Sequence, residues 1–322
     1  MALSVQPSSR RVALVLALLL ATSLWIAGRP AWATYPGTEG RIAFAMYVPS
    51  LGHEQIFTIK PDGTGWTQLT FTKRAHNFNP AWSADGSQLV FERESPRGQP
   101  HIFAINADGT DEHRVMPFPF RGLAPFFSPD GSTIVFAHTD DRVLHTGIWV
   151  VNADGTNLRS VVLDLHRWAE LRWPQFSPDG SKITFTKYVR SGESAIFTVN
   201  LDGSGLLRLT DWDLGAAAAS YKPDGSLLAF NSYSESGLGQ AGNVFTVRPD
   251  GSELTQITAY EGPGGTGAFG QSWSPDGTQI AFGLVRLNGN GDVHIMNPDG
   301  TGLIQVTDRR WNEHNSDWGT HP

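Results

Sequence analysis

The chain has 322 residues, including 35 glycines, 20 prolines and no cysteine, and its formal net charge is −7. Aromatic residues make up 11% and charged residues 17% of the sequence. So many glycines and prolines are typical of short strands joined by tight turns, which argues against a helical protein. The acidic charge and scattered Lys and Arg residues argue against nucleic-acid binding. Without cysteine, neither disulfides nor a lipid-modified cysteine anchor can form, so the core must stabilise the fold.

The first 33 residues have the features of a secretory signal peptide. Two arginines at 10–11 precede an apolar run of 15 residues, 12–26, and small residues follow at 31–33. A basic start, a short apolar centre and an A-x-A-like end are typical of such a peptide. The alternative is an uncleaved anchor, although a membrane span needs about 20 apolar residues. We expect a soluble periplasmic or secreted mature chain that begins near Thr34 and has no stable membrane insertion.

Two short phrases then recur along the rest of the chain. An aromatic residue followed by Ser-Pro-Asp-Gly, or a close variant, recurs at steps of 45 to 52 residues. A second phrase, such as Asn-Ala-Asp-Gly-Thr, recurs at steps of 46 to 49 residues. Fixed periods near 45 residues indicate a repeat array or a propeller. The aromatic residues are Trp82, Phe127, Phe176, Tyr221, Trp273 and Trp318, and the second phrase occupies 60–65, 106–111, 152–157, 200–205, 248–253 and 297–302.

Each period predicts four strands. In one copy these are an innermost strand that ends at the aromatic residue, ITFTKY at 183–188, AIFTVN at 195–200 and LLRLT at 206–210. Apolar and polar residues alternate in them, as in half-buried strands. Pro-Asp-Gly and Ala-Asp-Gly favour hairpin turns, because Gly readily adopts the left-handed conformation that closes them. We therefore interpret the repeated aspartates as turn residues rather than as a catalytic signature.

The two ends of the chain supply complementary parts of one repeat. After the signal come three predicted strands, at 41–47, 55–60 and 67–70, and the chain ends with one innermost strand around 315–319. Three strands plus one complete a blade, which closes the ring and removes open sheet edges. We predict an all-β, six-bladed β-propeller of four-stranded antiparallel blades within a domain of residues 34–322.

The repeated phrases F/W-S-P-D-G and N-x-D-G-T/S-x-x-x-x-L-T resemble the WD-repeat-like propeller of the TolB family, the periplasmic partner of the Tol–Pal envelope system. The resemblance covers nearly all of the chain after the signal. TolB proteins carry an α/β domain before the propeller, and we expect this chain to have the propeller without it. Similar repeats form the propeller of prolyl oligopeptidase-like enzymes, but these 322 residues contain no G-x-S-x-G motif, and we expect no hydrolase domain.

The propeller topology predicts where a binding site lies. Both Asp-Gly turns of a blade fall at one end, so the opposite end collects the variable loops that usually carry binding residues. Four to six residues before each innermost aromatic residue, blades 1 to 3 and 6 offer polar groups, whereas blades 4 and 5 offer mainly small residues at 215–217 and 267–269. The candidate partner-binding residues are His76, Asn77, Arg121, Glu170, Arg172, Asn312, Glu313 and His314.

Two kinds of ligand remain open for this predicted site. Arg121 and Arg172 suit a carboxylate or a peptide terminus, because guanidinium groups bind carboxylates in a planar, two-point geometry. Alternatively, His76 and His314 with Glu170 or Glu313 are residue types that hold a divalent metal ion. The sequence HTDDRVLH at 138–145 is another candidate cluster, which we interpret as a charged loop tip. No EF-hand or sialidase-type box is present, and we interpret His101, His113 and His294 as structural residues of strands.

We therefore expect a non-enzymatic, exported, monomeric scaffold that needs no cofactor and binds a protein or peptide of the cell envelope through these loops. The alternative is a propeller lyase or hydrolase that uses a metal ion in the central channel to act on a carbohydrate or a lactone. An enzyme needs acids, bases or metal ligands that converge on one point, whereas a binding surface tolerates a one-sided arrangement. The candidate residues have such a one-sided arrangement, which favours a binding protein over an enzyme.

Overall fold

The computed structural model contains six four-stranded antiparallel sheets arranged as a propeller ring, which confirms the predicted fold. The structure describes residues 39–117, 120–140, 145–232, 242–260, 267–285, 291–308 and 313–320. All of them belong to the unit that runs from Trp32 to Pro322. The predicted signal peptide lies outside the described residues, so the boundary at residue 33 stays a prediction. Among the described residues, no helix is both long and apolar enough to cross a bilayer.

Blades 1 to 3 follow the predicted order of innermost, second, third and outer strand. Blade 2 has a longer outer strand than the other two. Blade 1 contains β4 (His76–Trp82), β5 (Gln88–Glu94), β6 (Pro100–Asn106) and β7 (His113–Arg114); blade 2 contains β8 (Leu123–Phe127), β9 (Thr133–Asp140), β10 (His145–Asn152) and β11 (Arg159–Asp164); blade 3 contains β12 (Glu170–Phe176), β13 (Lys182–Tyr188), β14 (Ser194–Asn200) and β15 (Leu207–Arg208).

Blades 4 to 6 repeat this order, and a single 3-10 turn, Trp212–Leu214, precedes blade 4 within the described residues. Blade 6 takes its strands from both ends of the chain. Blade 4 contains β16 (Ala216–Tyr221), β17 (Leu228–Ser232), β18 (Asn243–Val247) and β19 (Thr255–Gln256); blade 5 contains β20 (Gly267–Trp273), β21 (Ile280–Val285), β22 (Gly291–Met296) and β23 (Ile304–Gln305); blade 6 contains β24 (Glu313–Thr320), β1 (Glu39–Val48), β2 (His53–Ile59) and β3 (Thr67–Gln68).

The two outer strands with predicted bounds, at 67–70 and 206–210, are shorter in the structure. Strand β3 covers two residues of the predicted 67–70, because in the following Leu-Thr pair the threonine binds the third strand with its side chain instead of its backbone. The Leu69 amide donates to the Ile56 carbonyl at 2.9 Å, and the Thr70 hydroxyl accepts from the Ile56 amide at 2.9 Å. A side-chain hydroxyl thus replaces a backbone acceptor. The same hydroxyl contact joins Thr210 to Ile196, Thr258 to Val244 and Thr307 to Val293.

The ring is closed by pairing of the two chain ends, as predicted. Strand β24 pairs antiparallel with β1, so that Trp318 lies opposite Ile42. Two side chains of β24 also bind blade 1: the Asp317 carboxylate accepts a hydrogen bond from the Trp82 amide at 2.8 Å, and the Thr320 hydroxyl donates to the Ala84 carbonyl at 2.9 Å. The Trp318 amide donates to Ser272 Oγ of blade 5 at 3.0 Å. The last strand therefore connects blades 5, 6 and 1 without leaving a sheet edge open there.

The hydrophobic core lies between neighbouring blades rather than inside any one of them. Six clusters of buried side chains occur, and each combines residues of two adjacent blades. The six innermost aromatic residues are each at most 3% exposed. A single blade cannot bury its faces alone, so the repeated aromatic position stabilises the ring only when all neighbours are present.

The repeated aspartates close the hairpins, as predicted. Asp154 shows the pattern: its Oδ1 atom accepts from the Thr156 amide at 3.0 Å and from the Thr156 hydroxyl at 2.6 Å. The hydroxyl bond is the main cause that lowers the pKa of the Asp154 carboxyl. The equivalent carboxyls with a lowered pKa are Asp62, Asp85, Asp108, Asp130, Asp179, Asp202, Asp224, Asp250, Asp276 and Asp299.

The glycine of the second phrase also fits against the preceding blade. Gly155 has a φ of +82°, and a Cβ atom placed on it would lie 2.3 Å from the Val115 carbonyl oxygen at the outer edge of blade 1. At Gly203, the corresponding distance to the Val161 oxygen of blade 2 is 2.7 Å. At these two copies of the phrase, glycine is therefore required both for the turn and for close contact between blades.

Each described innermost strand contains a β-bulge three residues before its aromatic residue. The pairing with the second strand shifts there, as between Phe78 and Ala81 in β4. The extra residue takes a positive φ, a conformation that costs a non-glycine residue about 1 to 2 kcal/mol. The bulges line the central channel. The residues with positive φ are Asn79, Ala124, Trp173, Ala218 and Gly270.

Candidate functional site

The two ends of the propeller differ in character. One end carries the Asp-Gly turns of all blades. The opposite end, which we call the variable face, carries the loops between second and third strands, such as 95–99 and 189–193, and the links between blades, such as 120–122 and 165–169. These loops differ in length and sequence, which is typical of a surface adapted to a particular ligand.

A cavity of about 340 Å³ opens on the variable face among blades 1, 2 and 3. It brings together three of the predicted site residues: Arg121 from the link before β8, and Glu170 and Arg172 from the start of β12. We call it the charged cavity, because half of its lining residues are ionisable. Its lining consists of Glu92, Glu94, Gly98, Pro100, Arg121, Gly122, Leu123, Thr139, Glu170 and Arg172.

Arg172 is held within the protein by its neighbour Glu170. The Arg172 Nε atom donates to Glu170 Oε1 at 2.6 Å, and a second guanidinium nitrogen contacts the same oxygen. Both side chains remain partly exposed. A ligand carboxylate would therefore have to compete with Glu170 for Arg172.

Glu92 is a functional candidate that the sequence analysis missed. Its side chain is only 6% exposed, yet it lines the charged cavity. Its Oε2 atom accepts from Asn79 Nδ2 at 2.8 Å and from the Ala124 amide of blade 2 at 3.1 Å. Burial raises the pKa of the Glu92 carboxyl, and the nearby charge of Glu94 acts in the same direction. The signal was visible in FERE at 91–94, since alternate residues of a strand share one face.

His76 lies near the charged cavity, but its side chain makes its described hydrogen bonds with residues of blade 6. Its Nδ1 atom donates to the Glu54 carboxylate of blade 6, and its Nε2 atom lies 3.1 Å from His53 Nδ1. His53 in turn donates from Nε2 to the Lys73 carbonyl at 3.1 Å. This hydrogen-bonded chain joins blades 6 and 1, and the His76 side chain stays 37% exposed.

Two of the predicted contact residues are buried in the structure. Asn77 is 0% exposed; its amide group donates to Thr72 Oγ1 at 2.8 Å and accepts from Arg93 Nε at 2.7 Å. Glu313 is also 0% exposed and accepts from Thr307 Oγ1 at 3.3 Å. We therefore leave both out of the proposed surface. Asn312 and the side chain of His314 lie outside the described residues.

The predicted metal alternative gains no support from these positions. His76 contacts Glu54, Glu170 contacts Arg172, and Glu313 is buried beside Thr307. Within the described ranges, no group of three or more His, Cys, Asp or Glu side chains is arranged to hold a metal ion. Of the predicted loop 138–145, residues 141–144 lie outside the described residues.

The histidines interpreted as structural lie in strands. His101 is in β6, His113 in β7 and His294 in β22. His101 Nδ1 accepts a hydrogen bond from the Arg114 guanidinium at 2.8 Å, and burial lowers the pKa of His101, with the charge of Arg114 acting in the same direction.

An exposed apolar surface lies at the end of β11 and in the link between blades 2 and 3. Leu163, Leu165 and Trp168 are each at least 54% exposed. The guanidinium groups of Arg167 and Arg190 lie 5.2 and 4.9 Å from the centre of the Trp168 ring, within the range of cation–π attraction. Exposed tryptophan and arginine side chains are typical of protein-binding surfaces. This surface was not predicted from the sequence, although LDLHRW at 163–168 places apolar residues where no turn phrase occurs.

The central channel contains a second cavity, of about 240 Å³. It is lined by the bulged residues of the innermost strands, together with Phe126, Phe269 and Asp317. Asp317 is the carboxylate among its lining residues, and burial raises the pKa of that carboxyl. Its Oδ1 atom accepts from Ser272 Oγ at 2.9 Å, so the described contacts of Asp317 serve ring closure.

Comparison with known proteins agrees with the repeats and the fold. The family described as the TolB beta propeller domain matches residues 111–259. A protein of Chlorobium luteolum named TolB homolog is 29% identical over 209 residues, which cover 63% of this chain and 44% of that protein. The chain thus spans less than half of the length of this relative.

Solved structures show the same architecture. The crystal structure of TolB from Acinetobacter baumannii is similar with a TM-score of 0.72 and 19% identity, over 99% of this chain and 74% of that one. A more distant similarity, with a TM-score of 0.52 and 16% identity, links 85% of this chain to 74% of an oligogalacturonate lyase in complex with manganese. At these identities the structures show the fold alone. The family match and the shared architecture confirm the predicted resemblance: the chain is a six-bladed β-propeller that is similar to the TolB propeller family.

Proposed function

We propose that this propeller is an exported scaffold that binds a protein partner of the cell envelope through its variable face, without catalysing a reaction. The observation that carries the proposal is the charged cavity, in which side chains of three blades converge on one opening. Specific recognition sites in proteins are typically concave and contain a few convergent polar groups. Arg121, Glu170 and Arg172 supply such groups here, and Glu92 and Glu94 add to them.

The exposed apolar surface supports a protein partner rather than a small molecule. Trp168 and Leu165 belong to the link that leads into β12, and Glu170 of the charged cavity begins that strand. Apolar side chains next to a polar recognition site contribute binding energy when a partner covers them. We therefore propose that one partner contacts both the cavity and the apolar surface.

The resemblance to TolB supports a place in the envelope. TolB acts in the periplasm, and residues 1–33 of this chain have the features of a secretory signal. We propose that the mature protein is periplasmic or secreted and that it works as a monomer. The lyase alternative receives less support, because the similarity to the manganese-bound lyase extends to the fold alone.

Site-specific photo-crosslinking tests the proposed face. Benzoylphenylalanine is placed at Trp168, and in a matched protein at Leu254, which follows an Asp-Gly turn at the opposite end. These two positions are similarly exposed, at 54% and 50%. After irradiation of producing cells, we expect one defined protein adduct at position 168 and none at 254. Adducts at 254 alone, or at neither position, would contradict the proposed binding face.

A further inference from the structure

The charged cavity contains more negative than positive charge. Three carboxylates, of Glu92, Glu94 and Glu170, face two guanidinium groups, of Arg121 and Arg172. Arg172 forms its described ion pair with Glu170, and its charge also acts on Glu92. The lining as a whole has one carboxylate more than it has guanidinium groups.

The carboxylates of Glu92 and Glu94 have unused hydrogen-bonding capacity. Within the described residues, the Glu94 side chain makes neither an ion pair nor a hydrogen bond, although it is only partly exposed. Glu92 is more than nine-tenths buried, and its described hydrogen bonds all end on Oε2, which leaves Oε1 without a described partner. The hydroxyl of Thr139, another lining residue, is buried and likewise unpartnered in the described part of the chain.

Burial of the Glu92 carboxylate is unfavourable, because low-dielectric surroundings penalise the charged form, and this penalty outweighs the attraction of the Arg172 charge. Glu92 and Glu94 are also two positions apart on β5, so they share one face and repel each other. A cation placed between them would relieve both effects, and its N–H groups would donate hydrogen bonds to the carboxylate oxygens. A ligand carboxylate would add to the repulsion instead, contrary to the expectation from the two arginines.

We propose that the charged cavity binds a basic side chain, lysine or arginine, that the protein partner inserts between Glu92 and Glu94. This inference rests on the proposed function and names the chemistry of the partner at that site. Lysine and arginine carry three and five N–H donors respectively, which suit the two carboxylates and the Thr139 hydroxyl. Recognition by paired charges in a partly desolvated cavity favours specificity.

Titration of the purified protein with short capped peptides tests the proposal. The probes are acetyl-Gly-X-Gly-amide with X as arginine, lysine, the uncharged arginine isostere citrulline, or glutamate, and binding is measured by calorimetry and ligand-observed NMR. We expect the arginine and lysine probes to bind at least tenfold more tightly than the citrulline probe. Equal binding of arginine and citrulline probes, tighter binding of the glutamate probe, or no binding of any probe would overturn the proposal.

Two variants locate the binding. Glu94→Gln removes one carboxylate without changing size, and we expect it to weaken binding of the basic probes at least tenfold. Glu253→Gln is the matched control, because Glu253 pairs with Arg248 at the Asp-Gly end. Unfolding curves establish that both variants are folded. If Glu94→Gln binds the basic probes as tightly as Glu253→Gln does, the cavity is not the site.

The outcome is separable from that of the crosslinking experiment. Adducts at position 168 without binding of basic probes would preserve the proposed function and refute the basic side chain as its ligand. Binding of the probes without adducts at 168 would support a cation site and refute the proposed partner face.

Discussion

Substitution of Gly155 by alanine tests whether the second Asp-Gly phrase locks neighbouring blades together. Two costs are expected. Alanine at a φ of +82° costs about 1 to 2 kcal/mol, because the left-handed region is unfavourable for a residue with a Cβ atom. In addition, the new Cβ atom would lie 2.3 Å from the Val115 carbonyl oxygen, so blade 1 or blade 2 must shift. Such overpacking costs about 1 to 3 kcal/mol.

Gly131→Ala is the matched control. Gly131 has a similar φ of +71°, but no heavy atom of the described residues beyond its chain neighbours lies within 4 Å of its Cβ position. It therefore carries only the conformational cost. Gly109→Ala provides a second comparison, since its φ is +85° while the nearest carbonyl oxygen, of Leu69, is 3.7 Å away. We expect Gly155→Ala to lose about 2 to 5 kcal/mol of unfolding free energy and both controls about 1 to 2 kcal/mol.

Urea unfolding monitored by tryptophan fluorescence and by circular dichroism measures these differences. The comparison is valid where the denaturant dependence of the free energy is the same for all variants. If Gly155→Ala and Gly131→Ala have the same unfolding midpoint, contact between blades does not explain the glycine. A larger loss for Gly109→Ala than for Gly155→Ala would refute the reasoning as well.

Three further outcomes are expected. Eleven turn aspartates have a lowered pKa in the folded protein, so the unfolded chain binds protons more strongly than the folded one does. Their contribution to stability is therefore present above about pH 4 and is lost as the pH falls further. We expect the Tm to drop between pH 5 and pH 3. An unchanged Tm at pH 3 would contradict this. Asp317→Ala leaves the Trp82 amide and the Ser272 hydroxyl without their acceptor, at about 1 to 3 kcal/mol each, and should lower the Tm and expose the last strand to proteolysis. Trp168→Ala should leave the Tm unchanged, because the side chain is mostly exposed; a clear loss of stability would show that Trp168 serves the fold instead.

Two groups of carboxyls have opposite effects on stability in acid: the turn aspartates and two buried carboxyls. In the first phrase, burial tends to raise the pKa of a carboxyl such as Asp85, but hydrogen bonds from Ser87 and Ser83 outweigh it. Glu92 and Asp317 have raised pKa values because of burial, so protonation of these two favours the folded state as the pH falls. The turn carboxyls outnumber them, and the net effect is loss of stability in acid.

The sequence by itself determined the architecture. The period of the two phrases predicted the number of blades, the turn chemistry predicted where hairpins close, and the partial repeats at the two ends predicted closure through Trp318. These features follow from local backbone preferences that are copied along the chain, so each copy reinforces the same interpretation. The sequence also indicated which face carries the variable loops, since strand order within a blade decides that.

Only the tertiary structure decided which side chains meet. Glu92 comes from a second strand, Arg121 from one link between blades and Arg172 from the start of β12, and no local pattern states that they share a cavity. The burial of Asn77 depends on Gln55 and Thr72 of the neighbouring blade, which its position in the chain does not reveal. The physical reason is that repeats fix the path of the backbone, whereas contacts between unlike loops depend on the packing of neighbouring blades.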